Sequence, residues 1–163
     1  SIPDVSGHVV VIGFGRVGQL LGEVFDQQRV PYVAVEHNID RVAKLRAEGK
    51  PIYYGNAGRP ELLYKLGLDK AASLVVTMDQ PMAAMRVVHN ARLQYPNLPI
   101  YARSHDEKHA QELRRVGATF VVPETLEAGL LLTTFALGSL GLTDNDVRDI
   151  VDAERDRRVA YAT

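Results

Sequence analysis

The sequence has no cysteine and no excess of charge of either sign. The absence of cysteine from 163 residues excludes disulfide bonds, thiolate metal sites and cysteine nucleophiles. That composition is compatible with a reducing cytoplasm. The 19 basic and 20 acidic residues are scattered along the chain and leave a formal charge of −1. Because bulk charge gives no electrostatic reason to expect a nucleic acid, we predict no nucleic-acid partner.

Long apolar segments are also missing. No run reaches the roughly 18 to 20 uncharged apolar residues needed to span a bilayer. The first four residues, SIPD, do not form the basic region and apolar run of a signal peptide. Hydrophobic residues make up 46% of the chain, enough for one core and too few for two full-sized domains. We therefore expect one soluble domain with a small appendage.

Six short, β-branched apolar runs recur at a spacing of roughly 20 to 25 residues, which suits a strand followed by a crossover helix. These runs are residues 8–12, 32–35, 52–54, 74–77, 100–102 and 119–122. Helical segments with start and stop signals lie between them. The signals are Asn38, Pro60 and Pro81 at helix starts and Gly49, Gly67 and Gly117 at helix ends. The pattern predicts an α/β fold, a Rossmann-type open parallel sheet of about six strands with helices on both faces.

The pattern changes after Pro123, and we divide the chain into a domain at 1–123 and a helical extension at 124–163. Residues 125–140 form a predicted helix that is apolar on nearly every side and must therefore be buried. Either a partner chain covers it, which we favour and which implies a homodimer, or it packs on the sheet edge of the same chain. Residues 143–158 are strongly charged and predict an exposed last helix capped by Thr143 or Asp144.

The sequence GFGRVG at residues 13–18 follows the first predicted strand and opens an amphipathic helix. In this G-x-G-x-x-G pattern Gly13 permits a tight turn and Gly15 lets the backbone approach a phosphate. Gly18 allows the helix to pack closely on the strand. The helix N-terminus then offers N–H groups to an anion. Arg16, between the second and third glycines, either contacts that phosphate or is a surface arginine beside an acid.

Glu36 ends the second predicted strand, 21 residues after Gly15. An acid at this position accepts hydrogen bonds from the ribose hydroxyls of an adenosine nucleotide and repels a 2′-phosphate. We therefore favour NAD(H), AMP, ADP or ATP over NADP. The alternative is a solvated residue at a strand end.

Further polar and small residues follow the other strands, and the carboxyl ends of parallel strands meet at the edge where open α/β sheets bind ligands. Asn56 and Ala57 suit the rim of an adenine pocket, although they are also compatible with a simple turn. The complete set of predicted ligand-binding residues is Gly13, Phe14, Gly15, Arg16, Val17, Gly18, Glu36, His37, Asn56, Ala57, Thr77, Met78 and Arg103.

Five segments together carry a family resemblance. They are GFGRVGQ at 13–19, the acid at 36, YGNA at 54–57, ARSHD at 102–106 and PETLEAG at 123–129. In this combination the chain resembles the potassium-transport nucleotide-binding domains, also called KTN, RCK N-terminal or TrkA-N domains. Within that family it is most similar to the cytoplasmic domain of Kef-type potassium efflux, or monovalent cation:proton, antiporters.

The resemblance implies a non-enzymatic regulatory domain on the cytoplasmic face of the inner or plasma membrane, with a membrane transport domain upstream of Ser1. It also implies a homodimer formed partly through the helix after the sixth strand, and a bound NAD(H) or adenine nucleotide that gates transport. By resemblance the phosphate is held by Gly13, Gly15, Arg16 and Gly18. The ribose is held by Glu36 and the adenine by Asn56 and Ala57. Arg103 faces the ligand or the dimer partner. One departure is Asn56, where many family members have aspartate.

Two other functions compete with this interpretation. A small NAD-dependent oxidoreductase would need a substrate site and a proton-transfer group, and the five histidines show no evident acid–base partner. His105 and His109 have the spacing of a zinc-protease motif, but Asp106 stands where that motif has glutamate and fits a helix N-cap better. We therefore predict neither catalytic residues nor a metal site. The second alternative is a freestanding regulatory subunit of a potassium transporter.

Overall fold

A computed structural model describes the backbone of residues 2–162 and the side chains of residues 2–159. The strands are β1 (Val9–Ile12), β2 (Tyr32–Glu36), β3 (Ile52–Tyr54), β4 (Ser73–Val76), β5 (Ile100–Ser104) and β6 (Phe120–Pro123). The α-helices are α1 (Arg16–Gln28), α2 (Ile39–Ala47), α3 (Pro60–Lys65), α4 (Pro81–Gln94), α5 (Glu107–Arg115), α6 (Glu124–Gly138) and α7 (Asp144–Ala162). A short 3₁₀ helix, Leu68–Lys70, precedes β4.

The six strands form one parallel sheet in the order β3-β2-β1-β4-β5-β6. The central strand β1 pairs with β2 on one side and with β4 on the other, so that Val10 is opposite both Val33 and Leu74. The strand order reverses between β1 and β4, and this reversal creates a crevice at the carboxyl edge of the sheet. The predicted Rossmann-type architecture is confirmed.

The predicted start and stop signals have their structural counterparts. The side chains of Asn38, Asp106 and Thr143 accept backbone N–H bonds from Arg41, His109 and Asp146 at 3.0, 2.9 and 3.1 Å. Pro60 and Pro81 are the first residues of α3 and α4. Gly49, Gly67 and Gly117 follow three helices with positive φ angles of 83°, 75° and 127°. These residues fix where α2, α3 and α5 end.

Helices lie on both faces of the sheet, but they do not cover both faces equally. On one face α3, α4 and α5 bury side chains against β1, β2, β4, β5 and β6, and the partly buried Tyr53 of β3 packs against the same cluster. On the other face α1 and α2 pack over β1, β2 and β3 only. Tyr101, Phe120 and Val122 point to the second face beyond these helices and are exposed. The predicted helices are thus present on both faces, but on one face they leave the β5–β6 half of the sheet uncovered.

The C-terminal extension is a pair of packed helices. Leu130 of α6 is buried against Val147 and Val151 of α7, and Arg155 of α7 forms a two-oxygen ion pair with Glu127 of α6 at 2.9 and 3.0 Å. In the described side chains of the last helix, residues 144–159, only Val147 and Val151 are buried.

Helix α6 does not pack on the sheet edge of its own chain in a way that buries its apolar surface, and that alternative is wrong. Its exposed large apolar residues, together with one just after it, are Leu131, Leu132, Phe135 and Leu140. In the stretch 2–162 we find no helix with both the length and the apolar character required to cross a bilayer.

Candidate functional site

Two adjoining cavities open at the carboxyl edge of the sheet, where the strand order reverses. The larger, about 570 Å³, lies along the glycine loop and is lined by residues that follow β1, β2, β4 and β5. The smaller, about 330 Å³, is mainly apolar and lies beside Asn56 and Ala57 after β3. Gly13, His37, Met78 and Gln80 line both cavities, so the two form one continuous cleft.

The three glycines of the loop differ in what a side chain would meet. Gly13 has a φ of 89°, and a Cβ there would lie 2.8 Å from the backbone N of Met78. A Cβ on Gly18 would lie 2.5 Å from the carbonyl oxygen of Gly13, so only glycine lets α1 approach β1 this closely. A Cβ on Gly15 would meet nothing nearer than Arg41 Nη1, at 4.0 Å, so its surface is open to the cleft.

Helix α1 begins at this loop and presents a favourable site for an anion. Among the described side chains, none caps its N-terminus and no acidic residue lies in its first turn. The N–H groups of the first turn and the positive end of the helix dipole are therefore available to a negative ligand. Arg16 and Val17 of this turn line the cleft, and within the described structure Arg16 has no acidic partner at ion-pair distance. The alternative, a surface Arg16 paired with an acidic side chain, is therefore wrong for the described structure.

Glu36 is buried, with 2% of its surface exposed, and its carboxylate accepts hydrogen bonds from two backbone N–H groups. Phe14 N–H donates to Oε1 at 2.9 Å and Asn38 N–H donates to Oε2 at 2.7 Å. Arg41 Nη1 lies 3.1 Å from Oε1, and His37 Nδ1 lies 3.2 Å from Oε2. The alternative of a solvated strand-end residue is wrong.

These contacts also set the ionisation of Glu36. Burial by itself raises the pKa of this carboxyl group, but the hydrogen bonds from Phe14, Asn38 and Arg41 outweigh burial and place the pKa below its ordinary value. Glu36 is therefore ionised at neutral pH. Because one of its donors is the loop residue Phe14, the carboxylate ties the end of β2 to the glycine loop.

Thr77 ties β4 to the same loop from the other side. Its buried hydroxyl donates to the carbonyl oxygen of Gly13 at 2.6 Å and lies 3.1 Å from that of Ile12. Together Glu36 and Thr77 hold the loop between β2 and β4, so its shape is set before any ligand arrives.

A cluster of charged side chains forms the far wall of the cleft. Arg103 Nε lies 3.0 Å from Glu124 Oε1, an ionic contact without linear hydrogen-bond geometry, and Arg103 Nη2 lies 3.7 Å from Asp79 Oδ1. His105 Nε2 pairs with Asp79. The expectation that the histidines have no acid–base partner is therefore wrong for His105, and also for His37, which lies beside Glu36. Asp79 and His105 follow neighbouring strands, which is the signal that could have placed them together.

Asn56 uses its side-chain carbonyl within its own turn, where Oδ1 accepts from Gly58 N–H at 2.8 Å. Its NH₂ group is left to contact a ligand in the smaller cavity. Ala57 is buried beside it, and Met78 and Val35 supply apolar surface to the same cavity. The cavity is thus mainly apolar, and its polar side chains are Asn56, His37 and Gln80.

The cleft brings together most of the predicted residues. Those that line it are Gly13, Gly15, Arg16, Val17, Glu36, His37, Asn56, Ala57, Thr77, Met78 and Arg103. Gly18 supports the helix packing instead, and the side chain of Phe14 is buried in the core and stacks on Tyr32 with ring centroids 6.1 Å apart. The prediction for Phe14 therefore needs correction, because only its backbone reaches the loop, where its N–H is taken by Glu36.

Sequence reasoning missed Arg41, Gln80 and Glu124, which also line the cleft. Arg41 could have been found by counting from the predicted N-cap, since the third residue after Asn38 lies on the first turn of α2, next to the end of β2. Glu124 gave no comparable signal. No group of three or more metal-binding side chains is present in the part of the chain that the structure describes.

The parallel sheet, the glycine loop at its switch point and the acid after β2 define a Rossmann-type nucleotide-binding fold. Residues 9–124 match the TrkA-N domain family, and the chain belongs to that family.

Two relatives place this domain in larger proteins. The chain is 37% identical over 160 residues to K(+) efflux antiporter 1, chloroplastic, of Arabidopsis thaliana, a match that covers 98% of this chain and 13% of that protein. It is 38% identical over 151 residues to the putative K(+) efflux antiporter KefB of Alkalimonas amylolytica, covering 93% and 23%. The chain therefore spans less than a quarter of the length of either relative.

Solved structures show the same fold. The Shewanella denitrificans Kef CTD in AMP bound form has a TM-score of 0.76 and 30% identity, covering 95% of this chain and 94% of that one. The TrkA-N domain of inner membrane protein ybaL from Escherichia coli has a TM-score of 0.75 and 32% identity, covering 80% and 96%. The GsuK channel bound to NAD has a TM-score of 0.73 and 25% identity, covering 80% and 24%.

Proposed function

We propose that this chain is the cytoplasmic regulatory domain of a potassium efflux, or cation:proton antiporter, system. It binds NAD(H) or an adenine nucleotide in the cleft, and binding gates transport in a membrane domain. The single observation that supports this most is the continuous cleft at the switch point, with an anion-binding loop at one end and an apolar cavity at the other. The AMP-bound Kef domain and the NAD-bound GsuK channel support the same ligand class.

The residues fit such a ligand in both charge and shape. The glycine loop and Arg16 hold phosphate at the N-terminus of α1. Glu36 accepts from the ribose, and its negative charge disfavours a 2′-phosphate. Asn56 and Ala57 hold the adenine in the smaller cavity. The bound nucleotide contributes binding energy rather than chemistry, so the role is regulatory and not enzymatic.

The extension at 124–163 forms the dimer contact in this proposal. The exposed leucines and Phe135 of α6, together with the open face of β5 and β6, are the apolar surfaces that a second copy would cover. A dimer can adopt two arrangements of its subunits. The nucleotide shifts the equilibrium between these arrangements only if it binds one of them more tightly than the other.

Calorimetric titration of the domain with NADH, NAD⁺, AMP, ATP and NADPH tests the ligand. We expect saturable binding of one or more nucleotides that lack the 2′-phosphate, weaker binding of NADPH, and no consumption of NADH. Gly15→Ala should lower affinity by about tenfold or more, because its methyl group occupies the surface that a phosphate approaches. Gly129→Ala is the control, since a Cβ there meets nothing within 4 Å and lies outside the cleft.

The outcomes separate the possibilities. Absence of binding, or equal binding of NADPH, would refute the nucleotide assignment. Unchanged affinity in Gly15→Ala would refute the loop as the phosphate site, because the free protein has room for that methyl group and the variant should fold.

Light scattering tests the dimer. We expect the mass of two chains, and a shift to one chain in Phe135→Ser, whose side chain is 70% exposed on α6. Leu93→Ser is the matched control, since Leu93 is equally exposed but lies on α4. A wild-type domain that stays monomeric at all concentrations would overturn the dimer. In vesicles that contain the complete transporter, Gly15→Ala should abolish the response of K⁺ efflux to nucleotide.

A further inference from the structure

The hydrogen bonds of Glu36 raise a problem for ligand binding. A carboxylate has about four lone-pair positions, and four protein groups surround this one. The N–H groups of Phe14 and Asn38 belong to the backbone and hold two positions permanently. Arg41 Nη1 donates to Oε1 at a third position, and His37 Nδ1 lies 3.2 Å from Oε2 without a hydrogen bond between them. A ribose hydroxyl can therefore donate to Oε1 only if Arg41 moves away.

Arg41 is in position to make that move. Its backbone is fixed, because its N–H donates to the N-cap Asn38 at 3.0 Å. Its side chain is 38% exposed and borders the cleft, so it can rotate without a movement of the backbone. The same nitrogen, Nη1, lies 3.1 Å from Glu36 Oε1 and 4.0 Å from the point that a methyl group on Gly15 would occupy. The guanidinium thus lies between the ribose-binding acid and the open phosphate surface of the loop.

We propose that Arg41 exchanges partners when a nucleotide binds, leaving Glu36 for the ligand phosphate. This inference rests on the proposed nucleotide site and assigns to Arg41 the selection of phosphorylated over unphosphorylated adenosine. The negative phosphate attracts the guanidinium, whose coplanar N–H groups can donate hydrogen bonds to the phosphate oxygens. The departure of Arg41 then frees Oε1 of Glu36 for the ribose hydroxyl. A nucleoside without phosphate offers Arg41 no new partner and must compete with it for Glu36.

Arg41→Gln, titrated with AMP and with adenosine at one fixed salt concentration, tests the exchange. We expect the affinity for AMP to fall by about tenfold or more. The affinity for adenosine should stay the same or rise, because the competitor for Glu36 is gone. Lys44→Gln removes the same charge from an exposed position on the same helix and should change neither affinity by more than about twofold.

The ratio of the two affinities distinguishes this role from a structural one. Equal weakening of AMP and adenosine would mean that Arg41 only positions Glu36, and it would overturn the exchange. No change in either affinity would also overturn it. If Arg41→Gln does not fold, Arg41→Lys keeps the charge without the planar fork and should still weaken AMP selectively. Failure of the unaltered protein to bind AMP would instead refute the proposed function.

Discussion

Replacing Glu36 with glutamine tests the central contact of the site. A side-chain amide presents one carbonyl oxygen and one NH₂ group, whereas Phe14 N–H and Asn38 N–H each need an acceptor. One of these N–H groups then faces another donor, which costs about 1–3 kcal/mol in the free energy of unfolding. For a chain of this size 1 kcal/mol corresponds to about 2–4 °C in Tm. We therefore expect Glu36→Gln to unfold about 2–12 °C below the unaltered protein at neutral pH.

The dependence of this difference on pH gives a second check. The pKa of Glu36 in the folded protein lies below its ordinary value of 4.5, so the folded state binds its proton less readily than the unfolded state does. The stabilisation is fully present above pH 4.5 and is lost as the pH falls through the folded pKa. The gap in Tm between the two proteins should therefore be constant near neutrality and shrink below pH 4.5.

Thermal unfolding followed by circular dichroism at one protein concentration measures both quantities. Glu48→Gln is the control, because Glu48 is exposed at the end of α2, and it should change stability by no more than about 0.5 kcal/mol. Equal Tm values for Glu36→Gln and the unaltered protein at neutral pH would refute the assigned hydrogen bonds. A gap that persists undiminished in acid would refute the electrostatic part of the explanation.

Two further substitutions test the loop geometry by the same unfolding measurement. Gly18→Ala should lower the free energy of unfolding by about 1–2 kcal/mol, since its Cβ would lie 2.5 Å from the Gly13 carbonyl oxygen. Gly129→Ala should gain up to about 1 kcal/mol, because it lies in open space within α6, and the opposite order would contradict the packing described. Thr77→Val should lower the free energy of unfolding by about 1–2 kcal/mol, because it removes the hydroxyl that donates to Gly13. An unchanged stability would show that this hydrogen bond contributes nothing.

The order of strands and helices could be predicted because local signals determine it. Apolar runs ended by glycine or polar residues mark the strands, and Asn38, Pro60 and Pro81 mark helix starts. The prediction placed Glu36 at the correct strand end, but it could not anticipate that backbone N–H groups from Phe14 and Asn38 occupy it. Those contacts depend on how the glycine loop meets β2, which is tertiary geometry.

The open half of the sheet could not be predicted for a different reason. Phe120, Val121 and Val122 form a continuous apolar run, which is typical of a strand buried on both faces. Only Val121 is buried by the chain itself. The sequence shows that these strand residues are apolar, but it does not show whether helices of the same chain cover them.

Glu124 is at once a residue of the cleft wall, a partner of Arg103 and the first residue of α6. Helix α6 has 15 residues, which at about 1.5 Å each makes a rod of roughly 22 Å. A tilt of about 5° at its cleft end would displace the far end of such a rod by about 2 Å. A change of angle at Glu124 that is small at the cleft would therefore be largest at Gly138, the last residue of the helix.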